Sequence, residues 1–167
     1  MILGVMSISS FTALHVIISL VAIVSGVIVV LGMLGSHRLA GLTALFLVTT
    51  LLTSATGFLF PIKNFTPALA VGVLSLILLL IALIGLYSRR LRGSWRWMYV
   101  VTAITALWFN VFVLIVQAFL KVPTLHAFAP AGNEPPFLIA QGGALAVFVV
   151  LGAIALVKFH PAPPLSA

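Results

Sequence analysis

The chain has 167 residues, of which 63% are hydrophobic and 5% charged, whereas about 25% of the residues of soluble domains carry a charge. Eight Lys and Arg residues accompany a single acid, Glu134, so chemistry that needs paired carboxylates is excluded. The absence of cysteine likewise excludes disulfides, thiolate metal sites and haem thioether links. This composition predicts one integral membrane domain over residues 1–167, with no separate soluble domain.

Five apolar runs, bounded by Gly, Pro or charged residues, follow one another along the chain. They cover residues 11–34, 42–60, 67–87, 98–120 and 137–159. A helix of about 20 apolar residues crosses the hydrocarbon layer of a membrane, and each run has about that length. We therefore predict an all-α fold, a polytopic membrane protein whose five transmembrane helices pack as a bundle.

The basic residues are divided unevenly between the two ends of these helices. If the N-terminus lies outside, six of them fall on the cytoplasmic side: Arg38, Arg89, Arg90, Arg92, Arg96 and Lys158. Lys63 and Lys121 fall on the other side. Cytoplasmic loops of membrane proteins carry an excess of Lys and Arg, which predicts an outside N-terminus and a cytoplasmic C-terminus. Because these residues lie in short loops and at span ends, we expect no nucleic-acid partner.

Small and polar residues form stripes at helical spacing on the first three predicted helices. The stripes are His15, Ser19, Ala22 and Gly26; then Thr49, Thr50, Thr53, Ser54, Thr56 and Gly57; then Gly72, Ser75 and Ala82. Small residues let helix backbones approach closely in a membrane, where no hydrophobic effect drives association. We therefore expect these stripes to face other helices.

The fourth predicted helix carries two amides, Asn110 and Gln117, seven residues apart. Two helical turns separate them, so they share one face, roughly 10 Å apart along the axis. Ala103, Ala106, Val113 and Lys121 extend the same face. An amide in hydrocarbon finds no water to bond, so this stripe is expected to face other helices. The fourth helix should then contact more neighbours than most.

Polar residues gather at the predicted outer ends of the helices. If the first, fourth and fifth helices are neighbours, His15, Gln117 and Gln141 lie at similar depth and can converge on a small occluded pocket. We predict His15, Asn110, Gln117 and Gln141 as ligand-binding residues. The long connection, residues 121–136, contains four prolines and is expected to form a stiff lid, with Lys121, His126 and Glu134 as anchoring residues.

Three alternatives to this site remain open. Gln117 and Gln141 can bond each other across two helices, and Asn110 can serve only as an interhelical hydrogen bond. Glu134 precedes two prolines at a helix start, where a carboxylate favours the positive end of the helix.

The classes of function open to this chain are limited mainly by the catalytic motifs that its sequence lacks. It has no phosphate loop, no HExxH and no GxSxG, so we assign no catalytic residue and no metal ligand, and a non-enzymatic protein is favoured. The apolar bundle with a few converging polar groups predicts a protein that binds a quinone or lipid near the outer leaflet. One alternative is a structural or accessory subunit that docks a membrane protein partner. Another is a haem-binding redox protein using His15 and His126, and the identity of any cofactor stays open.

Three runs carry a resemblance to known proteins. They are TSATGFLFP (residues 53–61), WRWMYVVTAITALWFNVFVLIVQAFLKVP (residues 95–123) and APAGNEPPFLIAQ (residues 129–141). Together they resemble a group of small bacterial inner-membrane proteins, and the likeness extends over most of the chain. The resemblance implies bacterial origin, an inner-membrane location and the same five-span layout. No activity is established for that group, so the resemblance implies none.

Overall fold

The computed structural model describes residues 7–60 and 67–161, and these residues form helices and no strand. The helices are α1 (Ile8–Leu34), α2 (Ala40–Gly57), α3 (Pro67–Leu83), α4 (Ser94–Lys121), α5 (Pro123–Phe128) and α6 (Pro135–Lys158), and α3 continues through one π-helical turn, Ile84–Ser88. All but the short α5 are long and apolar enough to cross a membrane. The predicted all-helical fold with five such helices is confirmed. Lys63, Asn64 and the C-terminal tail from residue 162 lie outside the described residues.

Several helix boundaries differ from the predicted ones: α1 begins three residues early, at Ile8, and α2 and α6 begin two residues early, at Ala40 and Pro135. α2 ends at Gly57 because a turn follows, in which the amides of Phe58 and Leu59 donate to the carbonyls of Ala55 and Thr56. α4 begins four residues early, at Ser94, directly after Gly93, whose φ of +54° suits glycine. The segment after α4 was predicted as part of a loop, which is wrong for residues 123–128. Pro123 starts the short helix α5, where its missing N–H costs little.

α4 is the central helix of the bundle. α1 packs against α2 and α4, α3 packs against α2 and α4, and α6 packs against α4 and α1. α4 contacts every other helix that the structure describes. The prediction that the fourth span contacts more neighbours than most is confirmed. The four helices α1 to α4 thus surround a common axis, and α6 lies outside them.

The buried core lies at one end of this bundle. We call this end of the bundle the Arg96 end, and the opposite end the Lys121 end. The C-terminal ends of α1 and α6 and the N-terminal end of α4 lie at the Arg96 end. The core includes Val30 and Met33 of α1, Phe46 of α2 and Tyr99 of α4. These side chains fill the Arg96 end, so the space between the helices is closed there.

Gly26 marks where α1 crosses α2 and α4 most closely. A Cβ added to it would lie 2.6 Å from Leu107 Cδ1 and 2.8 Å from the Phe46 ring. Ala22, one turn earlier on the same stripe, is fully buried. This part of the predicted α1 stripe is therefore a packing seam, in which only small residues fit.

Arg96 joins the first turns of α4 to the last turn of α6. Its Nη1 donates to the carbonyls of Leu156 and Phe159 at 3.0 and 2.9 Å. The last four carbonyls of a helix have no partner within the helix, and the helix dipole also stabilises a cation at this end. The amide of His160 donates to Ser36 Oγ at 2.8 Å, which ties the same end to the α1–α2 connection. From the sequence, Arg96 was only an orientation signal.

We expect Arg96→Met to lower the free energy of unfolding by about 1.5–3 kcal/mol, because it removes charge-assisted hydrogen bonds from partly buried carbonyls. Amide hydrogen exchange at residues 155–161 should rise at the same time. Both quantities are measured on the protein in detergent, by denaturant titration and by exchange mass spectrometry. Arg92→Met is the matched control, since Arg92 is exposed and its side chain makes no hydrogen bond within the described residues. Equal effects of the two substitutions would contradict a clamping role for Arg96.

Candidate ligand cavity

A cavity of about 990 Å³ opens between α1, α2, α3 and α4 at the Lys121 end. Its walls are mostly apolar, with Ile8, Val16 and Leu20 on α1 and Leu69 and Val71 on α3. It begins where the buried core stops: on α4 the core ends at Leu107, and the lining starts at Phe109. The bundle is thus packed at one end and hollow at the other.

The polar stripe of α4 faces this cavity. Asn110, Val113, Gln117 and Lys121 all line it, and Ala103 and Ala106 continue the stripe as buried residues into the packed end. The expectation that this stripe faces other helices is confirmed. A single face of α4 therefore serves as packing surface along one half and as cavity wall along the other.

Asn110 links two helices at the deep end of the cavity. Its Nδ2 donates to Thr50 Oγ1 of α2 at 3.2 Å, and Thr50 is fully buried. The interhelical role that the sequence left open for Asn110 is therefore observed, although the same side chain also lines the cavity. The bond connects α2 and α4 where the cavity meets the core.

His15 stands on the α1 wall and is held in one orientation. Its Nδ1 lies 2.8 Å from Thr56 Oγ1 of α2, and the Thr56 hydroxyl donates to the carbonyl of Leu52 at 2.6 Å. Because the hydroxyl proton is already used, the hydrogen-bond network assigns the donated proton to His15 Nδ1. The Phe60 ring packs edge-on against the imidazole, with centroids 5.3 Å apart. Nε2 has no protein partner within the described residues and is left for an occupant of the cavity.

Several hydroxyls also line the cavity, but they differ in how they are satisfied. Thr12 and Ser19 donate to the carbonyls of Ile8 and His15, as hydroxyls on membrane helices commonly do. Thr53 Oγ1, in contrast, is buried and has no partner in the described part of the chain. The side chain of Gln117 also makes no hydrogen bond with the described residues. The groups left for an occupant therefore include the Gln117 amide, the Thr53 hydroxyl, His15 Nε2 and the Lys121 ammonium, together with the hydroxyls of Ser54 and Ser75.

Gln141 is not brought to this site. It lies on α6, which packs outside the four-helix ring, and its Nε2 donates to the Phe112 carbonyl of α4 at 3.1 Å. Its Oε1 is buried without a partner in the described residues. The cavity thus gathers His15, Asn110, Gln117 and Lys121, and the convergence expected of His15, Gln117 and Gln141 is not observed. Gln141 does not bond Gln117 either.

The connection after α4 does not cover the cavity. Of its residues, only Lys121 and Val122 are among the lining, and His126 and Glu134 are not. His126 lies on α5, and its Nδ1 is 3.3 Å from the carbonyl of Phe119. The two imidazoles of the haem alternative, His15 and His126, therefore do not share the cavity.

Glu134 organises the loop before α6. Its carboxylate accepts hydrogen bonds from the amides of Ala131 at 2.8 Å and Asn133 at 3.0 Å. Glu134 is the N-cap residue of α6, but its side chain bonds none of the helix amides. It forms no ion pair with Lys121 among the described residues. The backbone hydrogen bonds, that from Ala131 foremost, hold the pKa of this carboxyl below its ordinary value.

The loop around Glu134 should lose these hydrogen bonds in acid. Because folding lowers the pKa of Glu134, the carboxylate contacts are complete above the ordinary value of 4.5 and are lost as the pH falls through the lower, folded pKa. We expect the amide resonances of Ala131 and Asn133 to titrate with a midpoint below 4.5. NMR of the protein in micelles measures this midpoint. Glu134→Gln should abolish the titration, and a midpoint above the ordinary value would refute the role of these bonds.

Comparison with known proteins identifies no relative of this chain. No protein-family model, curated protein or solved structure matches the chain. The function is therefore inferred from the cavity and the residues around it.

Proposed function

We propose that this protein is a multi-pass protein of the bacterial inner membrane that binds an amphipathic small molecule, a quinone or a lipid, in the cavity between α1 and α4. The observation that carries the proposal is the cavity of about 990 Å³, which lies at the upper end of the range of about 300–1,000 Å³ typical of ligand sites. Apolar walls with a few polar groups free to bond are the usual chemistry of such sites.

The apolar walls suit the tail of such a molecule. α1 and α3 stand on opposite sides of the cavity, each packed on α2 and α4, and their facing side chains include Val16, Leu20, Leu69 and Val71. Apolar surface in contact with a tail is removed from water at a gain of about 25 cal/mol per Å². The cavity therefore favours an apolar occupant over water along most of its length.

The free polar groups suit the head of the molecule. Gln117 and Thr53 have hydrogen-bonding capacity that the described protein does not use. Leaving a buried polar group such as the Thr53 hydroxyl unpaired costs about 1–3 kcal/mol, so an occupant that bonds it recovers part of that cost. A purely apolar occupant would leave them unpaired.

The excess of basic residues at the Arg96 end supports an orientation. In the proposed arrangement this end is cytoplasmic, so the cavity lies in the outer half of the membrane. Arg89 stacks on the Trp95 ring at 5.2 Å from its centroid, and an Arg–Trp pair at this level fits an interfacial belt.

A structural or accessory role is the second candidate, and α6 favours it. Ala155 is the only residue of α6 that is buried in the described protein, and the most apolar stretch of the helix is entirely unburied. Gly142 and Gly143 have open space where a Cβ would stand. Such a face suits a partner helix as well as it suits lipid.

Ligand binding predicts different effects for two half-buried glutamines, Gln117 and Gln141. Gln117→Met, which removes the cavity amide with little change of shape, should weaken retention of the co-purifying molecule by about twofold to tenfold. Gln141→Met should not, because Gln141 is outside the cavity. Native mass spectrometry of both variants and the wild type, purified in one detergent, measures the occupancy. An empty wild-type protein, or equal occupancy in all three, would favour the accessory role.

The proposed orientation predicts which positions an impermeant thiol reagent reaches in intact cells. The chain has no cysteine of its own, so single substitutions report cleanly. Thr124→Cys, on the exposed surface of α5, should be labelled from outside, whereas Ser94→Cys, at the start of α4, should be labelled only after the cells are opened. The reverse pattern would show that the charge bias does not set the orientation.

A further inference from the structure

The cavity carries an uncompensated positive charge. Among the described residues that line the cavity, Lys121 is the only Lys, Arg, Asp or Glu. The chain has a single acid, Glu134, and its carboxylate is bonded to the loop amides of Ala131 and Asn133. No side-chain carboxylate is therefore left to pair with Lys121 at the cavity.

Lys121 and Gln117 present hydrogen-bond donors side by side. They are four residues apart on α4, so their side chains emerge one turn from each other on the face that lines the cavity. The ammonium offers three N–H donors and the amide two. Lysine binds carboxylate and phosphate oxygens as a compact point charge, and such charge-assisted bonds are about twice as strong as neutral ones.

His15 adds a group of the opposite kind on the α1 wall. Since its Nδ1 donates to Thr56, Nε2 of the neutral imidazole is an acceptor. A head group that combines an anionic oxygen with a hydroxyl can bond both walls of the cavity. The anionic oxygen accepts from Lys121 and Gln117, and the hydroxyl donates to His15 Nε2. A phosphate monoester with one P–OH group is an example. A neutral quinone head offers acceptors for Gln117 but no counter-charge for Lys121.

We propose that the ligand of this cavity is an anionic amphiphile, whose carboxylate or phosphate head is bound by Lys121 and Gln117 at the Lys121 end and whose apolar tail lies between α1 and α3. This inference rests on the proposed function and specifies its ligand class. The tail runs from the polar groups near Lys121 towards Asn110, whose bond to Thr50 marks the deep end of the cavity.

The test compares probes that share one tail and differ in the head. Hexadecanoate, hexadecyl phosphate and hexadecanol are titrated by equilibrium dialysis against the full chain in a neutral detergent, and a neutral quinone with an apolar tail is titrated alongside them. The two anions should bind at least about tenfold more tightly than the alcohol, because charge-assisted hydrogen bonds exceed neutral ones by that margin. Inorganic phosphate, added as a competitor, should not displace hexadecyl phosphate, since the tail supplies the apolar contacts.

Substitutions of Lys121 then assign the preference to this residue. Lys121→Gln should reduce binding of both anions to the level of the alcohol and leave the alcohol unchanged, whereas Lys121→Arg should keep the preference. Lys158→Gln is the control, because Lys158 ends α6 and does not line the cavity. If Lys121→Gln does not fold by circular dichroism, the wild-type comparison and Lys121→Arg still decide.

The outcomes separate this inference from the proposed function. Equal binding of alcohol and anions by the wild type, or a stronger affinity for a neutral quinone, overturns the anionic head and leaves the proposed function standing. Displacement of hexadecyl phosphate by inorganic phosphate at equal concentration overturns the amphiphile. An anion preference that survives Lys121→Gln overturns the assignment to Lys121. If no probe binds the wild type, the inference and the proposed function both fail.

Discussion

The structure depends on one constraint: hydrocarbon supplies no hydrogen bonds, so a polar side chain on an apolar helix faces the other helices or the space between them. α4 carries the amides Asn110 and Gln117 and cannot turn them outwards, so its polar face points at the other helices. This places α4 at the centre, in contact with every other described helix. The positions of the remaining helices follow from how they cover that face.

The same face explains why the bundle is packed at one end and hollow at the other. Near the Arg96 end it carries alanines, and Gly26 on α1 lets the three helices come close enough to exclude space. Beyond Leu107 the face carries longer polar side chains, which neither pack densely nor satisfy one another. The packed end, further fixed by the Arg96 bonds to α6, serves as a rigid base for the cavity walls.

The five long helices and their inward faces could be predicted from the sequence, but the neighbours of each helix could not. Apolar runs and helical spacing are local properties, so they predicted five long helices and the stripe on α4. Contacts such as His15 with Thr56, or Arg96 with Phe159, join residues far apart in the sequence and depend on the order of the helices around the bundle. The expectation that Gln141 joins His15 and Gln117 assumed that the last span lies next to the first and fourth. α6 does contact α1 and α4, but Gln141 bonds the Phe112 carbonyl and does not line the cavity. α5 was missed because its six residues are too few to show a helical period.

Lys121 connects the charge pattern of the chain with the cavity. In the proposed orientation the outer side is nearly free of basic residues, so a lysine there is an exception to the bias. The helix dipole stabilises a cation in the last turn of α4. This explains why a positive charge occurs in this turn, but not why it lies on the cavity face of the helix. Lys121 stands on the face of Asn110 and Gln117, above a cavity whose walls hold no acid. Lys121 is exposed at the end of α4, so its charge acts most strongly on a group that enters the cavity and contacts it directly.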